Sequence, residues 1–217
     1  MDKGFGEFDY WGRFASSYDE GADYVVGGDL RRDVARILAG ERDLGELLEW
    51  GCGTGYFTAQ VLSAARCVTA TDISEEMLTM ARRRLAGQGN VTFRRADCEK
   101  SPFPPTAFDT VLMANVMNTV SDPRRVLRES HRCLRYNGLI IVIVYTDWGM
   151  GIFERLQVAL RYLRSFGLPP PWGLRNYSPD ELGEMVSKAG FSDVSLTVVG
   201  DGPRAVYLKA KKLVEVR

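Results

Sequence analysis

Three glycines at alternate positions follow an acidic residue in the segment ELLEWGCGTGYFT, residues 46–58. A pair of leucines precedes Glu49, and Gly51, Gly53 and Gly55 come after it. Glycine permits a positive φ and lets a ligand approach the backbone without a Cβ in the way. The pattern predicts a buried strand, a sharp turn and a helix whose free N–H groups bind an anionic or carboxylate-bearing ligand. Such a loop is typical of a site for a nucleotide-like cofactor.

The spacing of the glycines separates two cofactor classes. A dinucleotide-binding loop reads G-x-G-x-x-G, and its third glycine lies where the helix packs on the strand. In this chain Tyr56 stands at that position. The pattern E-x-G-x-G-x-G instead resembles motif I of the class I S-adenosylmethionine-dependent methyltransferases. The resemblance implies that the loop passes beneath the methionine part and the ribose, and that the acid orients the ammonium group. The cofactor-binding residues of the loop are then expected to be Glu49, Gly51, Cys52, Gly53 and Gly55.

A second acid, Asp72, follows a β-rich run about 20 residues past the glycine turn. An acid at the end of the second strand can accept hydrogen bonds from both ribose hydroxyls. This feature serves NAD equally well, so it does not separate the two classes. Ser74 predicts the cap of the next helix. In the family that the loop resembles, residues of this turn pack along the adenosine, which adds Ile73 and Met77 as expected contacts.

A third acid, Asp97, ends the strand of NVTFRRAD and is followed by a proline-rich loop and another apolar strand, FDTVLMANV. The resemblance implies that Asp97 accepts a hydrogen bond from the adenine amino group and that the amide of Cys98 faces the ring. Asn115, at the end of the next strand, is also expected to contact the cofactor. The glycine loop, the two later acids and the intervening helix occur in the family's order, which is more specific than any one motif.

Length and composition favour one soluble domain. The chain has 217 residues, of which 45% are hydrophobic and 26% charged, as in ordinary globular proteins. Its 28 basic residues equal its 28 acidic residues, which argues against a nucleic-acid partner. No apolar run is long enough to span a bilayer, and the first residues lack the apolar core of a signal peptide. Four cysteines without paired spacing and a single histidine predict free thiols, no metal site and a cytoplasmic location.

Strands and helices alternate along most of the chain. Residues 139–146, LIIVIVYT, form a wholly apolar run of the kind found in central parallel strands. Two strand candidates, residues 191–199 and 205–210, flank a tight turn. The order predicts an α/β fold with a doubly wound, Rossmann-like sheet of seven mainly parallel strands, an antiparallel C-terminal hairpin and helices on both faces. We expect a single methyltransferase domain over residues 1–217, and Asp29 is expected to cap the helix before the first strand.

Residues 146–177 interrupt this alternation as an insertion. Apolar residues recur there at helical spacing: Phe153, Leu156, Leu160 and Leu163. The insertion begins beyond the carboxyl end of a strand, where open α/β sheets bind ligands. The stripe can pack on the body of the protein or close as a lid over a substrate pocket, and both interpretations stay open. The lid hypothesis places these residues in the acceptor pocket: Tyr10, Asn118, Trp148, Phe153, Trp172 and Tyr177.

The aromatic N-terminal segment, residues 1–40, is predicted to form a cap that meets the lid. Residues 14–19 resemble, in shortened form, the opening motif F-x-x-x-A-x-x-Y-D of the small-molecule branch that includes the menaquinone and ubiquinone biosynthesis methyltransferases. In that branch the segment folds over the cofactor with the tyrosine near the methionine end, which makes Tyr18 a binding candidate. An aromatic face also stabilises a sulfonium cation. Core packing is the alternative role for Tyr18, and for Tyr10 and Trp11.

The predicted chemistry is in-line methyl transfer from S-adenosylmethionine to a small molecule. Alignment and desolvation can supply much of the acceleration, and a base is needed only if the acceptor must lose a proton. Many relatives carry a histidine pair where this chain has Asn115 to Val120, and the one histidine, His131, lies within a predicted helix. The catalytic residue is therefore unassigned, with Tyr18, Tyr145 and Asp147 as candidates. An acceptor that is already nucleophilic fits such a site.

The acceptor that best fits an aromatic lid is a quinone precursor or another apolar small molecule. The N-P-P-Y motif of DNA and glutamine amino-methyltransferases is missing after the fourth strand, where NVMN stands. Two other classes stay open. An NAD-dependent oxidoreductase is disfavoured by Tyr56, and a non-catalytic S-adenosylmethionine-binding module is kept open by the missing histidines. Nothing in the sequence predicts the oligomeric state.

Overall fold

The protein forms one seven-stranded mixed sheet in a computed structural model that describes residues 10–213. The strand order is β3-β2-β1-β4-β5-β7-β6. The strands are β1 Gly45–Trp50, β2 Ala65–Asp72, β3 Val91–Arg95, β4 Phe108–Ala114, β5 Leu134–Thr146, β6 Ser192–Val199 and β7 Arg204–Lys211. The pairs among β1 to β5 are parallel, and β7 pairs antiparallel with β5 and β6. The predicted fold class is confirmed.

Seven α-helices connect these strands in the described part of the chain. They are α1 Tyr18–Val26, α2 Gly28–Ala39, α3 Thr58–Val61, α4 Glu75–Arg84, α5 Pro123–Cys133, α6 Ile152–Phe166 and α7 Pro179–Lys188. The Ser74 hydroxyl accepts a hydrogen bond from the Met77 amide, as its predicted capping role requires. The predicted Asp29 cap is wrong, because α2 begins one residue earlier, at Gly28, with Gly27 as its N-cap. Within residues 10–213, no helix combines the length and the apolar character needed to cross a membrane.

The core lies on both faces of the sheet because strand side chains alternate between them. On β1, Leu47 belongs to one buried cluster and Leu48 to the other. The first cluster includes residues of α2, α3 and α4, and the second includes residues of α5 and α7. The Trp50 indole N–H donates to the Ser130 hydroxyl at 3.1 Å, which ties the end of β1 to α5. The strand that precedes the glycine loop is therefore held firmly on both sides.

The N-terminal segment and the insertion pack against each other, as predicted, through α1 and α6. The Tyr10 hydroxyl lies 3.1 Å from the Tyr162 hydroxyl and donates to the Phe166 carbonyl at 2.9 Å. The Phe166 ring also contacts an aromatic cluster, with centroid distances of 5.4 Å to Phe14 and 5.7 Å to Tyr18. Residues 1–9 of the predicted cap lie outside the described residues. The boundaries of the cap and of the lid-like insertion stay predictions.

Candidate cofactor and acceptor site

A cavity of about 470 Å³ opens where the carboxyl ends of four parallel strands meet. Its wall includes Gly51 after β1, Asp72 at the end of β2, Ala96 after β3 and Ala114 at the end of β4. The strand order reverses between β1 and β4. Open α/β sheets bind ligands in the crevice at such a switch point. The sheet topology therefore brings the separate sequence motifs to one site.

The glycine loop forms one wall of this cavity. Gly51 and Gly53 have φ values of +61° and +53°. Residues other than glycine adopt this backbone region only at a cost in free energy. A Cβ on Gly51 would lie 2.6 Å from a methyl group of Val116, whereas a Cβ on Gly53 would meet no atom within 4 Å. Gly55 does not line the cavity, because its Cα faces Ala81 of α4. Gly51 and Gly55 therefore allow close packing, whereas Gly53 leaves space open at the cavity.

Asp72 is the polar anchor of the cavity. Its carboxylate accepts hydrogen bonds from the Gly53 amide at 2.8 Å and from the Ser74 amide at 2.9 Å. These bonds fix the carboxylate between the glycine loop and α4, and the Asp72 side chain lines the cavity. A carboxylate has about four acceptor positions, so two amide donors leave capacity for hydroxyl donors of a ligand.

The remaining wall on this side combines apolar and polar groups. Ile73 and Met77 line it beside Asp97 and Cys98. The Asp97 carboxylate accepts a hydrogen bond from the Glu99 amide at 2.8 Å, which fixes its position after β3. Burial raises the pKa of the Cys98 thiol well above its usual value, with Asp97 adding to the increase, so the thiol stays protonated near neutral pH. The predicted residues that follow β2 and those that follow β3 therefore lie on the same wall of the cavity.

Glu49 lies behind the glycine loop and not in the cavity wall. Its side chain is only 1% exposed, and its Oε2 atom accepts no hydrogen bond from residues 10–213. The pKa of this carboxyl is raised to about 7, mainly by burial and in part by the nearby Asp72, while Thr58 acts to lower it. Cys52 is also buried without lining the cavity. An orphaned buried carboxylate oxygen beside a ligand cavity suits a cationic or hydrogen-bond-donating group.

The aromatic cap closes another side of the cavity. Trp11 and Tyr18 both line it, and their rings meet edge to face at a centroid distance of 5.8 Å. Burial raises the pKa of Tyr18 to about 12, while the neighbouring Arg31 counteracts part of that increase. The Tyr18 hydroxyl is therefore protonated at neutral pH, and it can donate a hydrogen bond but cannot act as a base.

Comparison with known proteins agrees with this geometry. Residues 48–142 match the model of the methyltransferase domain family. The demethylmenaquinone methyltransferase of Clavibacter sepedonicus is 37% identical over 138 residues, which are 61% of this chain and 55% of that protein, so the chain spans about half of its length. The demethylmenaquinone methyltransferase of Tropheryma whipplei is 28% identical over 217 residues, covering 90% of this chain and 87% of that protein.

A solved structure also matches across most of the chain. It is described as a SAM-dependent methyltransferase and possible histamine N-methyltransferase of Thermotoga maritima, with a TM-score of 0.71 and 21% identity over 94% of this chain and 99% of its own. These relatives and the domain match support a class I S-adenosylmethionine-dependent methyltransferase, and the solved structure supports the same fold. The resemblance drawn from the glycine loop and its acids is thereby confirmed, and S-adenosylmethionine is the cofactor of this family.

The N-terminal segment is held on the glycine loop through a network centred on Asp19. The Asp19 carboxylate accepts hydrogen bonds from the Thr54 hydroxyl at 3.0 Å, from Arg31 at 2.8 Å and from Arg84 at 2.6 Å. Burial acts to raise the pKa of Asp19, but the hydrogen bonds from both arginines outweigh it and hold the pKa below its usual value. The network joins α1 to the loop, α2 and α4. Asp19 belongs to the tyrosine–aspartate pair seen in the sequence, but nothing in the sequence indicates its partners.

The side of the cavity that is expected to hold the acceptor lies beyond β4. Sequence reasoning missed part of this wall, although the segment NVMNTV had been singled out for its lack of histidine. Trp172 from the insertion joins that wall, and its indole N–H donates to the Thr119 carbonyl at 2.5 Å. Asn115, with a φ of +61°, also lines the cavity. The lining residues found only in the structure are Ala96, Glu99, Lys100, Ala114, Val116, Thr119, Val120 and Ser121.

Two residues expected in the acceptor pocket instead hold the loop after β4 in place. The Asn118 side-chain amide donates to the carbonyls of Tyr145 and Arg175, at 3.1 and 2.7 Å. The buried Tyr177 hydroxyl donates to the Met117 carbonyl at 3.0 Å. Neither side chain lines the cavity. Their hydrogen bonds to backbone carbonyls fix the acceptor wall from behind.

Three further candidates for the acceptor pocket lie outside the cavity. Tyr10 is engaged with α6 through its hydroxyl. The Trp148 ring faces the Arg204 guanidinium, whose carbon is 5.8 Å from the ring centroid. Phe153 is 80% exposed, because α6 packs on α1 through Phe166 and leaves Phe153 on an outward side of the helix.

The candidate bases differ in placement. Burial raises the pKa of the Tyr145 hydroxyl, so it stays protonated near neutral pH, and Tyr145 does not line the cavity. Asp147 also lies outside the cavity wall, 3.7 Å from Arg155. The ring of His131 packs against Phe191 at a centroid distance of 5.1 Å, away from the cavity residues. The geometry thus supplies alignment and shielding, with no histidine at the cavity.

Proposed function

We propose that this protein transfers a methyl group from S-adenosylmethionine to an apolar small molecule by in-line displacement. The observation that carries the proposal is the composition of the cavity at the strand switch point. One side has the glycine loop and an anchored carboxylate, and the other side combines aromatic and aliphatic residues with the polar groups of Glu99, Thr119 and Ser121. S-adenosylmethionine, when bound, supplies an electrophilic methyl group on a sulfonium. The two sides together fit a polar nucleoside and an apolar acceptor.

On the cofactor side, each described residue has a proposed task. Asp72 would accept the ribose hydroxyls, since two amides already orient its carboxylate. The Gly51 and Gly53 backbones would lie against the methionine part. Ile73 and Met77 would contact the adenosine through their apolar side chains, and Asp97 with the Cys98 amide would bind the adenine edge.

At the methionine end, three groups that the fold leaves poised support the proposal. The orphaned Oε2 atom of Glu49 suits the ammonium group, whose arrival would favour the ionised carboxylate. The faces of Trp11 and Tyr18 suit the sulfonium cation. Asn115 would contact the same end from β4. Gly55 and Cys52 then act through loop geometry, since neither lines the cavity.

On the acceptor side, the described residues would bind the acceptor and exclude water, and the Glu99 carboxylate that lines the cavity there already accepts hydrogen bonds from the Ser121 amide and hydroxyl at 2.8 Å. Val116, Val120 and Trp172 give the cavity an apolar wall. The insertion, residues 146–177, would cover this wall as the predicted lid. Tyr18 stays protonated, and no cavity residue is a histidine. The acceptor is therefore proposed to be nucleophilic when it binds. Because the relatives are named as demethylmenaquinone methyltransferases, a quinol-like ring is the first class to screen.

The broader setting is part of the proposal. The equal numbers of basic and acidic residues disfavour a nucleic-acid substrate. The four cysteines are free thiols, which suits a reducing cytoplasm. The oxidoreductase alternative is disfavoured by Tyr56 in the third glycine position of a dinucleotide loop. The non-catalytic alternative keeps the cofactor site and differs only in turnover.

The first test is calorimetric titration with S-adenosylhomocysteine, with NAD as the comparison ligand. We expect micromolar binding of the first and none of NAD. Asp72→Ala should weaken binding by about a hundredfold, because hydrogen bonds to a charged group contribute roughly 1.5–3 kcal/mol each. Asp29→Ala, at a side chain that is 95% exposed, serves as the matched control and should bind normally. Binding of NAD instead would overturn the proposal.

The second test separates an enzyme from a binding module. Release of S-adenosylhomocysteine is measured with quinol-like, amine and thiol acceptors at saturating cofactor. Acceptor-dependent release supports methyl transfer. Tight cofactor binding without release for any acceptor class would favour the non-catalytic module.

A further inference from the structure

One side of α6 carries apolar side chains that the described protein leaves exposed. These residues, called the α6 stripe, are 44 to 80% exposed, and they are Ile152, Phe153, Leu156, Leu160 and Leu163. At 100° per residue they fall within an arc of about 100°. The 15-residue helix is roughly 22 Å long at 1.5 Å per residue. The α6 stripe is therefore a continuous apolar strip and not a set of scattered positions.

The rest of the helix shows why the stripe faces outward. Phe166 is the only buried residue of α6, and its ring contacts Trp11, Phe14 and Tyr18 of the cap. Tyr162, one turn before Phe166, lies beside Tyr10. These contacts attach α6 by one side, so the α6 stripe has no partner among residues 10–213. A strip of this kind is unusual on the surface of a soluble protein unless something covers it.

Arginines flank the α6 stripe. Arg161 and Arg164 follow it on one side of the helix, and Arg155 lies on the other. Arg164 contacts the Tyr24 hydroxyl at 3.4 Å and Arg161 lies over the Tyr24 ring, but neither pairs with a carboxylate within the described range 10–213. The one acid of the helix, Glu154, accepts a hydrogen bond from the Gly151 amide at 2.8 Å, so it caps the N-terminus. Arg155 lies 3.7 Å from the Asp147 carboxylate, so the cationic flank of the stripe is the one that carries Arg161 and Arg164.

We propose that α6 docks on an anionic membrane surface, with the α6 stripe among the acyl chains and its arginines at the lipid phosphates. Leucine, isoleucine and phenylalanine on one face with arginine beside them are typical of helices that lie in the bilayer interface. A second copy of this chain would present the same arginines, so charge complementarity favours anionic lipid over self-association. The inference does not depend on methyl transfer, because it concerns a surface outside the cavity.

The test is co-sedimentation of the full chain with vesicles. Vesicles of phosphatidylcholine mixed with phosphatidylglycerol are compared with vesicles of phosphatidylcholine alone, at low and at high salt. We expect binding to the mixed vesicles, little binding to the neutral ones, and loss of binding at high salt, because salt screens the arginines. Absence of binding to the mixed vesicles, or equal binding to both kinds, would overturn the proposal.

Variants then assign binding to the helix. Phe153→Ser should weaken binding about tenfold through lost apolar burial. Arg161→Gln with Arg164→Gln should weaken it roughly 25-fold, at about fivefold for each arginine. The matched controls are Tyr136→Ser, at a ring that is 55% exposed on β5, and Arg83→Gln with Arg124→Gln, at exposed positions of other helices. Controls that lose as much binding as the α6 variants contradict the proposal.

Two further measurements complete the design. Circular dichroism checks that each variant is folded. If a variant does not fold, the salt dependence of vesicle binding by the unaltered protein tests the proposal instead. Sedimentation equilibrium without lipid detects the rival occupant. A dimer that Phe153→Ser dissociates, together with no vesicle binding, would assign the α6 stripe to a second copy and overturn the membrane proposal.

Discussion

The glycine-loop side of the cavity and the α6 side are held in place by different kinds of interaction. On the first side, charged and backbone groups from several elements converge: Asp72 accepts two amides, and Asp19 joins the loop to two arginines. On the second side, α6 buries one residue, Phe166, against the cap. The difference shows that the glycine-loop side is held by many polar contacts, whereas helix α6 is held mainly by the contact of Phe166 with the aromatic cluster around it.

The largest expected effect tests that single contact. Phe166 is 4% exposed and Phe153, on the same helix, is 80% exposed. Phe166→Ala should lower the free energy of unfolding by about 3–5 kcal/mol, whereas Phe153→Ala should change it by roughly 0.5 kcal/mol or less. Urea unfolding measures both. Equal losses in the two variants would break the comparison, because α6 would then be held by something other than Phe166.

Phe166 also bears on how the lid hypothesis is tested. Deleting residues 149–171 would remove Phe166 and expose Trp11 and Tyr18, which line the cavity. Such a deletion is expected to change cofactor affinity as well as turnover. Substitution of Trp172, which lines the cavity, avoids this difficulty because it leaves Phe166 in place.

The next effect concerns the buried carboxyl of Glu49. Its pKa is about 7 in the folded protein against 4.5 for an ordinary glutamate, because burial disfavours the charged form. The stability that this raised pKa provides is fully present below pH 4.5 and is lost as the pH rises to about 7. At pH 8, Glu49→Gln should therefore be more stable than the unaltered protein by about 3 kcal/mol, and the gain should vanish near the lower pH.

Urea unfolding without cofactor, at acidic and at alkaline pH, measures this difference. A gain that is the same at both pH values would show that Glu49 is not buried as a charge. S-adenosylhomocysteine titration at pH 8 adds the second half of the test. We expect the same variant to bind more weakly, so that stability and affinity change in opposite directions.

A smaller effect compares glycines of the two regions. Gly51 and Gly173 both have positive φ, at +61° and +79°, but a Cβ would meet Val116 at 2.6 Å in the first and nothing within 4 Å in the second. Gly173→Ala should cost about 1 kcal/mol through backbone strain alone. Gly51→Ala should cost at least about 1 kcal/mol more through overpacking. Thermal unfolding measures both, and equal costs would mean that the loop relaxes freely.

The smallest expected effect concerns the network on the cap. Asp19→Asn keeps the shape of the side chain but removes the charge that pairs with Arg31 and Arg84. The cap should then hold the glycine loop less firmly, and the dissociation constant for S-adenosylhomocysteine should rise about tenfold. Asp29→Asn is the control, because that carboxylate is exposed and pairs only with Arg32 on the described surface. An unchanged affinity in Asp19→Asn would separate the cap from cofactor binding.

The cofactor side was largely predictable because its signals are local. Gly51, Gly53, Asp72 and Asp97 each stand at the end of a strand, and the carboxyl ends of parallel strands meet at one edge of the sheet. Locating the ends of the strands in the sequence was therefore enough to predict that these four residues lie close together. The Asp29 cap failed at the same level of reasoning, because Gly27 can turn the chain one residue earlier and so begins α2.

The acceptor side was less predictable because its geometry depends on long-range packing. Asn118 and Tyr177 are polar residues of a kind common in pockets, yet both hydrogen-bond to backbone carbonyls of distant segments. The apolar stripe that contains Phe153 does not by itself indicate whether it faces the cavity or the solvent. Only the contact of Phe166 with the cap decides which side of α6 faces the protein.

The sequence by itself determined the alternation of strands and helices, the glycine loop, its acids and hence the family resemblance, since each depends on residue type and short spacing along the chain. The tertiary structure decided which residues surround the acceptor and which side of α6 stays exposed. It also decided that Asp19 joins four parts of the protein. Those features arise from contacts between residues far apart in sequence, and hydrophobic packing is not directional enough for a linear pattern to specify its partner.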